Sequence, residues 1–310
     1  QKFFSYKHTM NKVIKIGTRD SQLALWQAET VEQQLVKLGY KTKLVPVKST
    51  GDVLLDKPLY ELGITGIFTK TLDVAMLNGT VDIAVHSMKD VPTLLPIGIT
   101  QSAVLERANT SDILVHKGLD FLNLDGVIAT GSLRRKAQWL HKYPQHKVVD
   151  LRGNVNLRLQ KLENSNWGGA IFAKAGLQRI NVLPEEYINL DWMLPAPAQG
   201  AVVVHTMKKD VFTSEAVSKL NDKSTDMCTA IERSFLRKLE GGCTAPIGAL
   251  AVIENNKITF EGVLFSLDGS QKIVVKYDNI ELSEAKNLGV LCAQEILSKG
   301  GDVLMKEIKK

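Results

Sequence analysis

Through about its first two hundred residues the chain alternates short apolar, β-forming runs with segments whose apolar positions recur at helical spacing. That alternation confines the fold to α/β layers around mainly parallel sheets. Val13 to Gly17 reads as a strand, after which Ser21 caps a helix carrying Leu23, Leu25, Trp26, Val31 and Leu35 and stopping at Gly39. Thr42 to Val47 reads as the next strand, Phe68 to Leu77 as a helix, and Val81 to Val85 as a strand running into His86-Ser87-Met88-Lys89-Asp90 ahead of Pro92. The theme repeats with a strand at Val127 to Ala129, a helix from Leu133, a strand at Lys147 to Leu151, a helix from Asn154 and a strand at Ala170 to Phe172. After the proline-marked segment Leu194 to Gly200, Ala201 to His205 reads as a strand. Asp226 to Leu239 reads as a helix stopped by Gly241 and Gly242 directly before Cys243. Three β-rich runs from Ile247 and a closing helix over Glu284 to Leu297 suffice for a small α+β domain.

At 310 residues the chain exceeds what one core usually organises. It divides into a disordered lead-in over 1–9, with Met10 as the expected start, an α/β lobe over 10–106 with 201–223, a second, arginine-rich α/β lobe over 107–200, and the α+β domain over 224–310. No stretch approaches the roughly 18 apolar residues of a membrane span, and the opening segment lacks an export-signal core. The three cysteines, Cys228, Cys243 and Cys292, lack disulfide or metal-type spacing, which makes a reducing, cytoplasmic compartment the expectation. The six histidines form no HExxH or comparable pair, so no metal site is readable.

The basic residues are unevenly placed. Five of the nine arginines, Arg134, Arg135, Arg152, Arg158 and Arg179, fall between positions 134 and 179, whereas thirty lysines scatter through the chain. Guanidinium groups suit bidentate carboxylate or phosphate recognition, so the concentration points to a polyanionic ligand. Two clusters lie where a strand gives way to a helix, the crevice position of open α/β sheets. In Gly17-Thr18-Arg19-Asp20-Ser21 the helix start and Arg19 suit an anion, against the plainer reading of Ser21 as an N-cap. In Thr130-Gly131-Ser132-Leu133-Arg134-Arg135, hydroxyls and paired guanidinium groups meet at one helix start. Arginine is unfavourable there without an anion, which favours ligand binding over a capped basic turn. Asp90, beside Lys89 at a strand end, can stay ionised while partly buried, hold a developing cation and shuttle a proton; as a turn residue ahead of Pro92 it needs no such role. Cys228 and Cys292 sit in helical apolar contexts and read as inert packing. Cys243 lies in a Gly-Gly-Cys-Thr-Ala-Pro loop accessible to covalent chemistry, although a structural cysteine is the commoner case.

Five ordered stretches carry a resemblance over the chain from about Val13 onward: Gly17 to Gln27 (GTRDSQLALWQ), His86 to Pro92 (HSMKDVP), Ser132 to Arg135 (SLRR), Leu151 to Val155 (LRGNV) and Leu239 to Gly248 (LEGGCTAPIG). Together they resemble the hydroxymethylbilane synthase, or porphobilinogen deaminase, family. The resemblance implies two lobes like those of periplasmic binding proteins, a third domain bearing the cofactor, and an active site in the cleft between the lobes. It implies a dipyrromethane joined by a thioether to Cys243, and Asp90 as the catalytic carboxylate. Porphobilinogen would lose ammonia to give an azafulvene, which the free α-carbon of the growing chain attacks; four condensations and a hydrolysis release hydroxymethylbilane. By the same resemblance Lys89, Asp90, Thr130, Ser132, Arg134, Arg135 and Arg158 would hold the cofactor, and Arg19, Ser21, Arg152 and Arg179 the substrate carboxylates. A monomer with porphobilinogen as its small-molecule partner, and neither nucleic acid nor membrane, is expected.

The chain departs from the family pattern at Gly63-Ile-Thr-Gly66, at Pro195-Ala-Pro-Ala-Gln-Gly200 and at Asn156-Leu157, none of which touches Cys243 or Asp90. A non-catalytic two-lobed protein that captures an anionic metabolite is the main rival. A nucleic-acid binder, suggested by a pI of about 9.0, lacks a recognised motif and base-stacking aromatics.

Overall fold

A computed structural model describes residues 12–48, 66, 68–239 and 245–309. These fall into two compact units. One comprises the described residues up to Arg107 together with Ala201–Asp226; the other comprises Ala108–Gly200 and Met227–Lys310.

The first unit is built on a five-stranded sheet in the order β2-β1-β3-β10-β4, from β1 (Val13–Arg19), β2 (Lys41–Val47), β3 (Ile83–Ser87), β4 (Ile99–Val104) and β10 (Val202–Met207). β2, β1 and β3 are parallel, while β10 runs antiparallel to both β3 and β4. A helix over Gln22–Lys37 returns the chain from β1 to β2 and buries Ala28, Val31 and Leu35 against Ile14, Ile16, Ile83 and Val85. A second helix, Lys70–Leu77, packs Leu72, Ala75 and Met76 around Val81, Ala84 and Ile99.

The second unit repeats this plan with β7-β6-β8-β5-β9, from β5 (Asp112–His116), β6 (Val127–Ala129), β7 (Lys147–Val149), β8 (Gly169–Ala173) and β9 (Tyr187–Asn189). β7, β6 and β8 are parallel, and β5 is antiparallel to its neighbours β8 and β9. Helices over Leu133–Lys142, Val155–Glu163 and Lys174–Arg179 follow β6, β7 and β8. The expectation of mainly parallel sheets is therefore corrected to mixed ones: each keeps a parallel core but carries an antiparallel strand, and β4, β5 and β9 are additions to the strands expected from the sequence. Apolar runs buried on both faces carry no alternation, so their direction is invisible locally.

The same unit holds a three-stranded antiparallel sheet, β11 (Ile247–Glu254), β12 (Lys257–Phe265) and β13 (Lys272–Glu281), packed against the helices Lys223–Lys238 and Leu288–Ile296 around Phe235 and Phe260. The expected closing helix starts later than Glu284, because Leu282–Asn287 forms a 3-10 segment first. Cys228 and Cys292 are buried in these helices, and burial pushes the Cys292 thiol up to about 12, as expected of packing residues. No helix among the described residues is long and apolar enough to cross a membrane.

Candidate functional site

In the second unit the arginines gather at one end of the sheet. β6, β7 and β8 are parallel, so the turns that leave their carboxyl ends, starting at Thr130, Asp150 and Lys174, sit side by side. The amide of Thr130 donates to the Val149 carbonyl (3.0 Å), joining the first two turns. Gly131 permits the approach, since a Cβ there would lie 2.6 Å from the Leu151 carbonyl oxygen. Thr130 Oγ1 accepts from the amide of Ser132 at 3.2 Å, and Ser132 Oγ caps the Leu133–Lys142 helix by accepting from the amide of Arg135 at 3.3 Å.

Arg134 and Arg135 turn inward from the first turn of that helix onto a carboxylate that the sequence reading missed. Asp112, fully buried at the start of β5, receives Arg134 Nη1 at 2.6 Å and Arg135 Nη2 at 2.8 Å. Gln199 Nε2 donates to the same Asp112 Oδ1 at 3.1 Å, and Arg134 Nη1 also donates to the Leu194 carbonyl at 2.8 Å. Two guanidinium groups thus share one buried carboxylate. An acid opening the apolar run Asp112-Ile113-Leu114-Val115 was the available signal, because a carboxylate buried there needs cationic partners.

The remaining arginines border the same end. Arg152 is buried beside Asp150; burial lowers the proton affinity of its guanidinium, and Asp150 partly restores it. Burial likewise raises Asp150 above the ordinary carboxylate range, opposed by Arg152, Lys161 and Arg158. Arg158 sits on the Val155–Glu163 helix, capped by Asn154, and its Nε donates to the Gly153 carbonyl at 2.6 Å. Arg179 closes the short helix after β8, donates to the Gly200 carbonyl at 2.8 Å, and is pushed down to about 10 by burial.

The first unit's set lies at the carboxyl ends of β1 and β3, which are parallel neighbours. Arg19 ends β1 with its guanidinium 4.5 Å from the Phe68 ring centroid. Ser21 caps the Gln22–Lys37 helix, its Oγ accepting from the amide of Ala24 at 3.4 Å, so the plain capping role is real. β3 passes directly into a 3-10 turn over Met88–Asp90, held by the Met88 amide donating to the Ala201 carbonyl at 3.0 Å. Lys89 and Asp90 are both half-buried there. Cys243 lies outside the described residues.

Residues 14–215 match the family model described as porphobilinogen deaminase, dipyromethane cofactor binding domain, and residues 226–298 match the model of the porphobilinogen deaminase C-terminal domain. The chain is 41% identical to the porphobilinogen deaminase of Chlorobium phaeobacteroides over 97% of its own length and 99% of the relative's. It is 39% identical to that of Carboxydothermus hydrogenoformans over the same shares. Among solved structures, the periplasmic VFT2 domain of Bordetella pertussis BvgS is similar at 14% identity and a TM-score of 0.44, covering 71% of this chain and 89% of that one. At that distance it adds nothing to the reading of the site.

Proposed function

We infer, from the porphobilinogen deaminase family to which this chain belongs, that it is a hydroxymethylbilane synthase, a transferase of tetrapyrrole biosynthesis acting on porphobilinogen with a dipyrromethane cofactor. The observation that carries this is the near-complete span of the family match, which embraces both the arginine-bearing segment and the C-terminal domain. It leaves no support for a non-catalytic anion-capturing protein.

The residues present fit the cofactor. A dipyrromethane presents an acetate and a propionate on each ring, and the second unit offers buried cations to meet such carboxylates. Burial has lowered the proton affinity of Arg152 and Arg179, which a neighbouring anion reverses. The hydroxyls of Thr130 and Ser132 accept from backbone amides, so their own protons are left to donate. We assign Cys243 to the thioether, Thr130, Ser132, Arg134, Arg135 and Arg158 with Lys89 and Asp90 to the cofactor, and Arg19, Ser21, Arg152 and Arg179 to the substrate.

The bound dipyrromethane supplies the free α-carbon at which the chain lengthens. Asp90 holds its carboxylate against the positive charge that develops as porphobilinogen loses ammonia, and accepts from the pyrrole N–H groups. The same oxygens take part in the proton transfers that accompany ammonia loss and restore the joined ring. Lys89, adjacent in the turn, favours the ionised form of a carboxylate bound nearby. A cytoplasmic monomer is part of the proposal, the compartment resting on three cysteines that lack disulfide or metal-type spacing in the sequence.

Intact-protein mass spectrometry of the wild type and Cys243→Ala tests the attachment. The wild type is expected above its polypeptide mass by one dipyrromethane and the variant at its bare mass; an adduct surviving in the variant refutes Cys243 as the anchor.

A further inference from the structure

Behind the Met88–Asp90 turn, in the first unit, three side chains with metal-ligating chemistry converge from three elements. His86 lies on β3, His205 on the antiparallel neighbour β10, and Asp73 on the Lys70–Leu77 helix that covers this face. The register pairs His86 with Val203 and His205 with Ala84, so both imidazoles leave the same side of the sheet, their ring centroids 5.2 Å apart. The β10–β4 ladder slips between Val204 and His205, an irregularity of the kind that re-aims a side chain.

One donor atom from each of Asp73, His86 and His205 lies within 4.8 Å of the other two. His86 is 5% exposed, and its Nε2 is buried without a hydrogen-bond partner among the described residues. A buried polar atom left so is unfavourable unless something supplies the missing contact. Asp73 also lines a surface cavity with Gly66, Thr69, Lys70 and Pro92, so one member of the set reaches solvent.

We propose that Asp73, His86 and His205 form a binding site for a divalent transition-metal ion of zinc type, tying the Lys70–Leu77 helix to the strand that ends in the Asp90 turn. Two imidazoles and one carboxylate are a zinc-like donor set that leaves a fourth position open to water. Closing onto bonds of about 2.0–2.2 Å calls for a shift of roughly an ångström in side-chain positions. The ligands are far apart in sequence, which is why no spacing motif announces them. Arg19, whose charge is felt at His86, opposes a cation and keeps the affinity moderate.

The test uses the full-length holoenzyme after chelator treatment, titrated with cobalt(II) and followed by its visible absorption, with zinc(II) calorimetry and thermal melts beside it. Wild type is expected to bind one equivalent in a low-symmetry nitrogen/oxygen site and to melt higher with zinc. Asp73→Asn and His205→Gln should each weaken binding by at least about tenfold. Asp73→Asn, at a half-buried helical position, carries the test should His205→Gln fail to fold. No saturable binding by wild type, or binding equal in wild type and Asp73→Asn, overturns the site.

Discussion

The two five-stranded sheets share one plan, three parallel strands in the order second, first, third followed by an antiparallel strand, yet they bury polar residues in opposite ways. Near the site end of the first sheet the buried basic groups are the imidazoles of His86 and His205. Burial, His205 and Arg19 hold His86 well below its ordinary range, so it is buried neutral. Near the site end of the second sheet the buried groups are guanidiniums, which cannot shed their charge, and a fully buried Asp112 accompanies them. Permanent cations buried together need an internal counter-charge, which Asp112 supplies. Imidazoles carry no fixed charge and can be buried without one.

The contrast is sharpest where chemistry separates from stability. Asp90→Ala in the first unit is expected to lower turnover of porphobilinogen by about 10²–10⁴-fold with an unchanged melting temperature; near-normal product formation would remove Asp90 from the mechanism. Asp112→Ala in the second unit should do the reverse first, costing about 3–5 kcal/mol in urea unfolding because two buried guanidiniums lose their carboxylate. A loss comparable to a surface substitution would show that solvent or ligand, not Asp112, balances those charges. Ser21→Ala and Ser132→Ala each remove a helix cap and should each cost about 1 kcal/mol, so unequal values would break the parallel between the two helix starts.

The smallest expected effect is at Ala198, which is buried with φ of 64°, a left-handed conformation that favours glycine. Its amide donates to Oε2 of the buried Glu232 at 2.6 Å, and that residue's Oε1 accepts from the Ala251 amide at 2.8 Å, fixing the turn against β11. Ala198→Gly relieves left-handed strain but adds freedom to the unfolded chain, for a net gain of about 0.5 kcal/mol in chemical denaturation.

Much of this was legible because the signals are local. Ser21, Ser132 and Asn154 mark helix starts by capping chemistry, and all three accept the expected backbone amide. The short strand Val127–Ala129 emerges as read, and Gly39, with φ of 89°, ends its helix. What escaped is long-range. Asp112 looks like any acid at a strand start until β5 pairs with β8 and brings it under Arg134 and Arg135. The convergence of His86 and His205 depends on the antiparallel return of β10, which no periodicity encodes. The sequence places the five arginines in one segment, but only the packed sheet shows that two of them share the buried Asp112.

Growth of a pyrrole chain on a primer tethered to the protein itself makes each addition a step in the protein's own mass. Intact-mass measurement after brief exposure of the purified protein to porphobilinogen tests it directly. Discrete species are expected, each heavier than the last by one pyrrole unit, that vanish as product is released. A single unchanged mass, with porphobilinogen left unconsumed, would contradict that growth.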